Sequence, residues 1–108
     1  MRMWMVNPRL MCRKHLLGEH VEIHMLAGSL RRGTRLQGFF EKKLIEVRSM
    51  LRRHDQLVHE MHRRGYRHAS PLVHVAKKRG GRVDRRANLV ELARRCADCR
   101  KLQEKARR

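Results

Sequence analysis

The sequence predicts an all-α, compact single domain of about three helices joined by basic connecting loops. Three observations carry that prediction. Apolar residues recur at three- and four-residue spacing, most clearly at Leu44, Val47, Leu51, His54, Val58 and Met61. Helix start and stop residues punctuate the chain at Asn7-Pro8, Gly65 and Asp84. A length of 108 residues with 41% hydrophobic content supplies one modest core and no second one.

The elements follow in order. Residues 1–6 are apolar and extended. Asn7 caps a helix with Pro8 at its first position, where the missing N–H costs nothing. That helix runs over residues 9–26 and stops at Gly28-Ser29. Gly18 within it costs about 1 kcal/mol against alanine and marks a bend or a close approach. Residues 31–38 form a basic loop with two glycines. A second helix spans residues 40–64, closed by Gly65, and His54 in its apolar stripe reads as a hydrogen-bonded core histidine rather than a ligand. Residues 66–81 connect to a third helix, capped by Asp84 or Asn88 and carrying Val90, Ala93, Ala97 and Leu102. A basic tail frays from about Arg100.

Charge is the strongest compositional signal. Lys and Arg number 28 against 10 acids, a net charge of +18, and the isoelectric point is near 11.6. Self-repulsion at this density is relieved by a polyanion, and neutralised phosphates release counterions that drive binding. A membrane surface would call for a basic helix with a clean apolar face, or for lipidation signals, and neither stands out. No run is long enough to span a bilayer. Residues 3–6 are too short for a signal peptide and are interrupted by Asn7-Pro8-Arg9, while few serines and Pro8 argue against a transit segment. Cys12, Cys96 and Cys99 make no even disulfide framework, so a reducing interior is expected: cytoplasm, nucleoid-associated, or host cytoplasm if phage-encoded.

On a wheel of about 100° per residue, His15, Glu19, Glu22 and Leu26 fall within roughly 60° of one another. Leu16, Leu17, Val21, Ile23 and Met25 take up much of the rest of the circumference. A buried helix with one polar stripe reaching a cleft accounts for this, as does a buried ion-pair network with the abundant arginines. His20 and His24 are four apart with Glu22 between them, but the order His-Val-Glu-Ile-His is not that of a zinc protease. Cys96-Ala-Asp-Cys99 offers two zinc ligands that Cys12 or a histidine would have to complete; the competing reading is two small, partly buried thiols.

These residues resemble the pyrimidine-dimer DNA glycosylase, or endonuclease V, family. Without a gap from Met1, Arg2 falls on the arginine that follows the family's N-terminal nucleophile, His15-Leu16 and Glu19 fall on matching first-helix residues, and Glu22 falls on the catalytic glutamate. A looser match covers residues 41–66, through Lys43-Leu44 and Arg64-Gly65-Tyr66. Val21 and Met25 stand where the phage enzyme carries DNA-contacting arginines, and its aromatic C-terminal segment has no counterpart, which leaves the lesion open.

The resemblance implies an endonuclease V-like fold and a glycosylase/AP lyase whose nucleophile is the Met1 α-amine. An α-amine has a reference pKa near 7.7 against about 10.4 for lysine, so a useful fraction is unprotonated at neutral pH without burial. Methionine removal needs a small second residue, and Arg2 is bulky, so Met1 is expected to stay. By the same resemblance Glu22 stabilises the cationic sugar and moves protons, Arg2 holds a phosphate and His15 positions or protonates nearby. Arg31, Arg32, Arg35, Lys77, Lys78 and Arg79 are the candidates for backbone contacts without sequence code. The expected partner is double-stranded DNA with a damaged or modified base, met by a monomer with no membrane, no cofactor and no metal. Two other classes fit the composition: a non-enzymatic nucleoid- or ribosome-associated binder, and a zinc-stabilised module built on Cys96 and Cys99.

Overall fold

The computed structural model describes residues 1–68, 70–72 and 80–107; Lys77, Lys78 and Arg79 lie outside them. Among the described residues the protein is all helix and loop, without strands. The helices are α1 (Arg13–Arg32), α2 (Gln37–Glu41), α3 (Met50–Arg63), α4 (Arg85–Arg95) and α5 (Ala97–Ala106), with 3-10 turns at Pro8–Leu10 and Val47–Ser49. None is long and apolar enough to cross a membrane. The all-α prediction holds, but the three expected helices are divided.

The first begins later and ends later than expected. Asn7 caps only a 3-10 turn, accepting from the Arg9 N–H, and extended backbone at Met11 and Cys12 interrupts before α1 starts. Gly28 is no stop. It is buried inside α1 with Leu26, Ala27 and Ser29, and a β-carbon there would lie 3.1 Å from the Arg32 guanidinium. The helix ends instead at Gly33, in the left-handed region with φ 71°. Arg31 and Arg32 therefore occupy its last turn, where cations complement the helix dipole; Arg35 lies in the following loop, and all three are exposed. Val21 and Met25, counted above among the apolar circumference, are each 55% exposed.

The second expected helix is broken between α2 and α3 by tertiary hydrogen bonds. The Leu44 carbonyl accepts from the Met3 N–H at 2.7 Å. The buried Glu46 carboxylate takes the Val83 N–H at 3.0 Å and the Ser49 hydroxyl, with Arg85 3.5 Å away. Burial pushes this carboxyl up, but the Ser49, Val83 and Arg85 contacts outweigh it and hold it below its ordinary value. In α3 the buried face is Met50, Arg53, His54, Leu57, Glu60 and Met61, and Leu51 turns outward.

The third expected helix breaks at Cys96. Asp84 is its cap, accepting from the Ala87 N–H at 2.9 Å, whereas Asn88 is buried and serves elsewhere. The chain beyond Arg100 continues as α5 to Ala106 instead of fraying. Helix α1 packs on α3, the Pro8–Leu10 turn bridges α3 and α5, and α4 packs on α5. Met3, Met11, Leu16, Ile23, Leu57 and Leu92 sit at the centre of the core.

Candidate active site

Residues 1–6 form an irregular strap held at nearly every step. Met3 and Trp4 are buried. The Asn88 side-chain amide donates to the carbonyls of Met3 (3.3 Å) and Trp4 (2.9 Å), and Arg53 Nη1 donates to the Val6 carbonyl at 2.7 Å. Met5 takes a left-handed φ of 58°, a conformation a non-glycine residue adopts at a cost of about 1–2 kcal/mol. The anchors on either side offset that cost.

This strap brings the chain's first residues to α1. The backbone N–H of Arg2 donates to Glu22 Oε2 at 3.2 Å. Arg2 Nη2 donates to Asn88 Oδ1 at 2.7 Å, and its guanidinium carbon lies 4.0 Å from the Trp4 ring centroid, with that of Arg95 5.8 Å from the same ring. Arg2 Nε is buried without a hydrogen-bond partner among the described residues. Burial pushes the Glu22 carboxyl above its ordinary value, opposed by the Arg2 N–H and by the charge of the amino terminus. A half-buried carboxyl of this kind, near the amino terminus and a guanidinium, holds a proton more readily than a solvated one.

The polar stripe of α1 divides by depth. Glu19 is fully buried and paired with Arg53 at 2.6 and 2.9 Å, so the ion-pair reading is right for this residue. Glu22 reaches the strap. His15 turns away from it: Nδ1 lies 3.2 Å from Cys12 Sγ and 3.7 Å from Cys99 Sγ, and the ring stands edge-on to Trp4 at 6.0 Å. Burial, then Lys14 and Arg95, lower its pKa. Met1, Arg2 and Glu22 are therefore brought together, with His15 one layer behind Trp4. Arg31, Arg32 and Arg35 are not in contact with this group. Sequence reasoning missed Trp4, Asn88 and Arg95; a buried aromatic and an amide spaced 84 residues apart leave no local signature.

Two donor clusters could each hold a metal. Cys12, His15, Cys96 and Cys99 form one, and His20, His24, His54 and His68 the other, with ligand atoms in each lying within 4.8 Å of one another. His20 Nε2 and His68 Nε2 are 3.0 Å apart, and burial, then the neighbouring imidazoles, push the His20 pKa down to about 4. His54 does bond as expected, to Asp55 and the Ser70 carbonyl, while belonging to that cluster. A cavity of about 900 Å³ lies under the strap, bordered by Met5, Asn7, Arg52, Gln56 and Arg85 among others, but neither Arg2 nor Glu22 lines it.

Residues 1–74 match the family model for pyrimidine dimer DNA glycosylase. Neither a curated protein nor a solved structure matches the chain.

Proposed function

The chain belongs to the pyrimidine dimer DNA glycosylase family, and from that membership we propose a DNA glycosylase with AP lyase activity that works through its amino terminus. The observation that carries this reading is the hydrogen bond from the Arg2 N–H to Glu22, which fixes the second residue on the half-buried carboxyl of α1 and brings the amino terminus close enough for its charge to act on that carboxyl.

The Met1 nitrogen attacks the deoxyribose C1′. The bond from C1′ to the base breaks, and the base leaves with the electron pair. Loss of the amine protons and opening of the sugar ring give an imine, and Glu22 relays the proton between amine and ring oxygen. Removal of a C2′ proton then expels the 3′ phosphate by β-elimination. Glu22 is suited to this relay because its raised pKa lets it hold a proton more readily than a solvated carboxylate. Arg2 binds the adjacent phosphate through the edge of the guanidinium that Asn88 leaves open, the group being fixed by Trp4 and Asn88. His15 acts as a positioning residue behind Trp4. The net charge of +18 supplies sequence-independent affinity for DNA, and exposed Arg31, Arg32 and Arg35 extend it. Unstacking is least costly at a lesion, so a damaged or modified base, a pyrimidine dimer by family resemblance, is the substrate.

Borohydride reduction on duplex DNA containing an abasic site, and separately a thymine dimer, tests the proposal. A covalent adduct mapping to Met1 is expected, lost on acetylation of the terminus. Glu22→Gln is expected to retain DNA affinity and lose turnover. Absence of an adduct on either duplex leaves a basic DNA-binding protein without this chemistry.

A further inference from the structure

We propose that Cys12, His15, Cys96 and Cys99 form a zinc site that fastens the α4–α5 pair to the start of α1. The four donor atoms lie within 4.8 Å of one another before any ion is considered, and three of their six separations are close to those of a tetrahedral set. Cys12 Sγ lies 3.2 Å from His15 Nδ1 and 3.8 Å from Cys96 Sγ, and Cys99 Sγ lies 3.7 Å from His15 Nδ1. Zinc bound at about 2.3 Å to sulfur and about 2.05 Å to nitrogen requires edges of about 3.8 Å between sulfurs and about 3.5 Å from sulfur to nitrogen. The observed separations bracket those values.

Backbone groups also hold two of the sulfurs in place. The Cys12 N–H donates to Cys99 Sγ at 3.2 Å, and the Cys99 N–H to Cys96 Sγ at 3.4 Å. Cys12 is the N-cap of α1 and Cys96 the N-cap of α5, so each ligand pair, Cys12-x-x-His15 and Cys96-x-x-Cys99, spans a helix start. Three thiolates and a neutral imidazole around a dication carry a net charge of −1, which Lys14 and Arg95, whose charges reach His15, offset. Oxidation is a poorer account of the same cluster. All three cysteines are free, and one disulfide would leave an odd thiol and an unused histidine. Soft sulfur donors in a tetrahedral array select zinc over magnesium or calcium.

The site has a structural consequence. Two of its ligands lie beyond the segment that matches the family, on the helical pair that also carries Asn88 and Arg95. The ion would therefore hold the partner of Arg2 in place without touching substrate. This inference does not rest on the glycosylase reading, and its readouts are independent of activity.

Elemental analysis of protein purified without chelator should give one zinc per chain assigned to these residues, lost in Cys99→Ser and retained in His68→Gln, which alters only the four-histidine cluster. Replacing zinc with cobalt(II) in the unmutated protein should produce intense thiolate-to-cobalt charge-transfer bands and a tetrahedral ligand-field spectrum. The three thiols should resist a disulfide reagent until a chelator is added, so the test survives a Cys99→Ser chain that fails to fold. Metal-free protein with freely reactive thiols, or a cobalt spectrum without charge-transfer bands, overturns the proposal.

Discussion

Replacing Arg53 with methionine removes the only cation paired with a fully buried carboxylate among the described residues. The Arg53 side chain is 2% exposed and that of Glu19 0%. Two short bonds join them, and a third runs from Arg53 to the Val6 carbonyl. Arg53→Met strands the Glu19 charge in the interior, at a cost of about 3–5 kcal/mol, and leaves the Val6 carbonyl unpaired for about 1 kcal/mol more. A domain of this size has about 5–15 kcal/mol in total, so the variant is near its limit. With a urea slope of about 1–3 kcal/mol per molar, the midpoint should fall by roughly 2 M. The double variant Glu19→Leu/Arg53→Met removes both charges and their desolvation penalty, and should return to within about 1–2 kcal/mol of the parent. Urea unfolding followed by far-ultraviolet circular dichroism measures all four corners of the cycle. If the double variant is as unstable as the two losses added together, the stranded charge is not the cause and the reasoning fails.

Other perturbations probe other parts of the molecule. His20, at about 4 in the folded chain against an ordinary 6.5, stays neutral while the unfolded chain takes up a proton, so its contribution is complete above about 6.5 and is lost as the pH falls toward 4. Thermal melts across that window should show stability declining by about 1.4 kcal/mol per pH unit for this group, and His20→Asn should flatten the slope. Asn88→Ala frees Arg2 and the carbonyls of Met3 and Trp4 together; single-turnover cleavage of abasic DNA should drop by about 10²-fold with helix content preserved. At Gly81, φ is 83° and a β-carbon would meet the Ile45 carbonyl at 2.2 Å, whereas at Gly33, φ 71°, nothing lies within 4 Å. Gly81→Ala should therefore cost well over the roughly 1 kcal/mol expected of Gly33→Ala in chemical denaturation.

What could be read from the sequence was what local chemistry decides. Asp84 announces its helix because a carboxylate can cap the third N–H ahead of it. The apolar period of α3 and the stop at Gly65 are equally local. The wheel puts Glu19 and Glu22 on one polar stripe but does not tell which of the two is buried, and only the resemblance to the family, through the spacing from Met1, singles out Glu22. The breaks at residues 43–49 and at Cys96 were hidden because their causes lie far away in sequence: Met3 and Val83 for the first, Cys12 and His15 for the second. Gly28 misled for a similar reason. A glycine followed by serine commonly ends a helix, but here small residues are needed where α1 enters the core, and packing overrode propensity. Asn88 read as a cap because nothing local reveals that an amide will serve a strap at the other end of the chain.

The bonds from Asn88 to the strap also impose an order on biosynthesis. Translation delivers residues 1–6 well ahead of α4: the amide that holds them emerges some eighty residues later, and the second thiol pair later still. At about 5–20 residues per second, the nascent amino terminus spends several seconds without its partner. The proposed reactive segment thus completes its contacts late although it is made early, so a polypeptide interrupted before residue 88 would carry Arg2 and Glu22 but not the frame that aligns them.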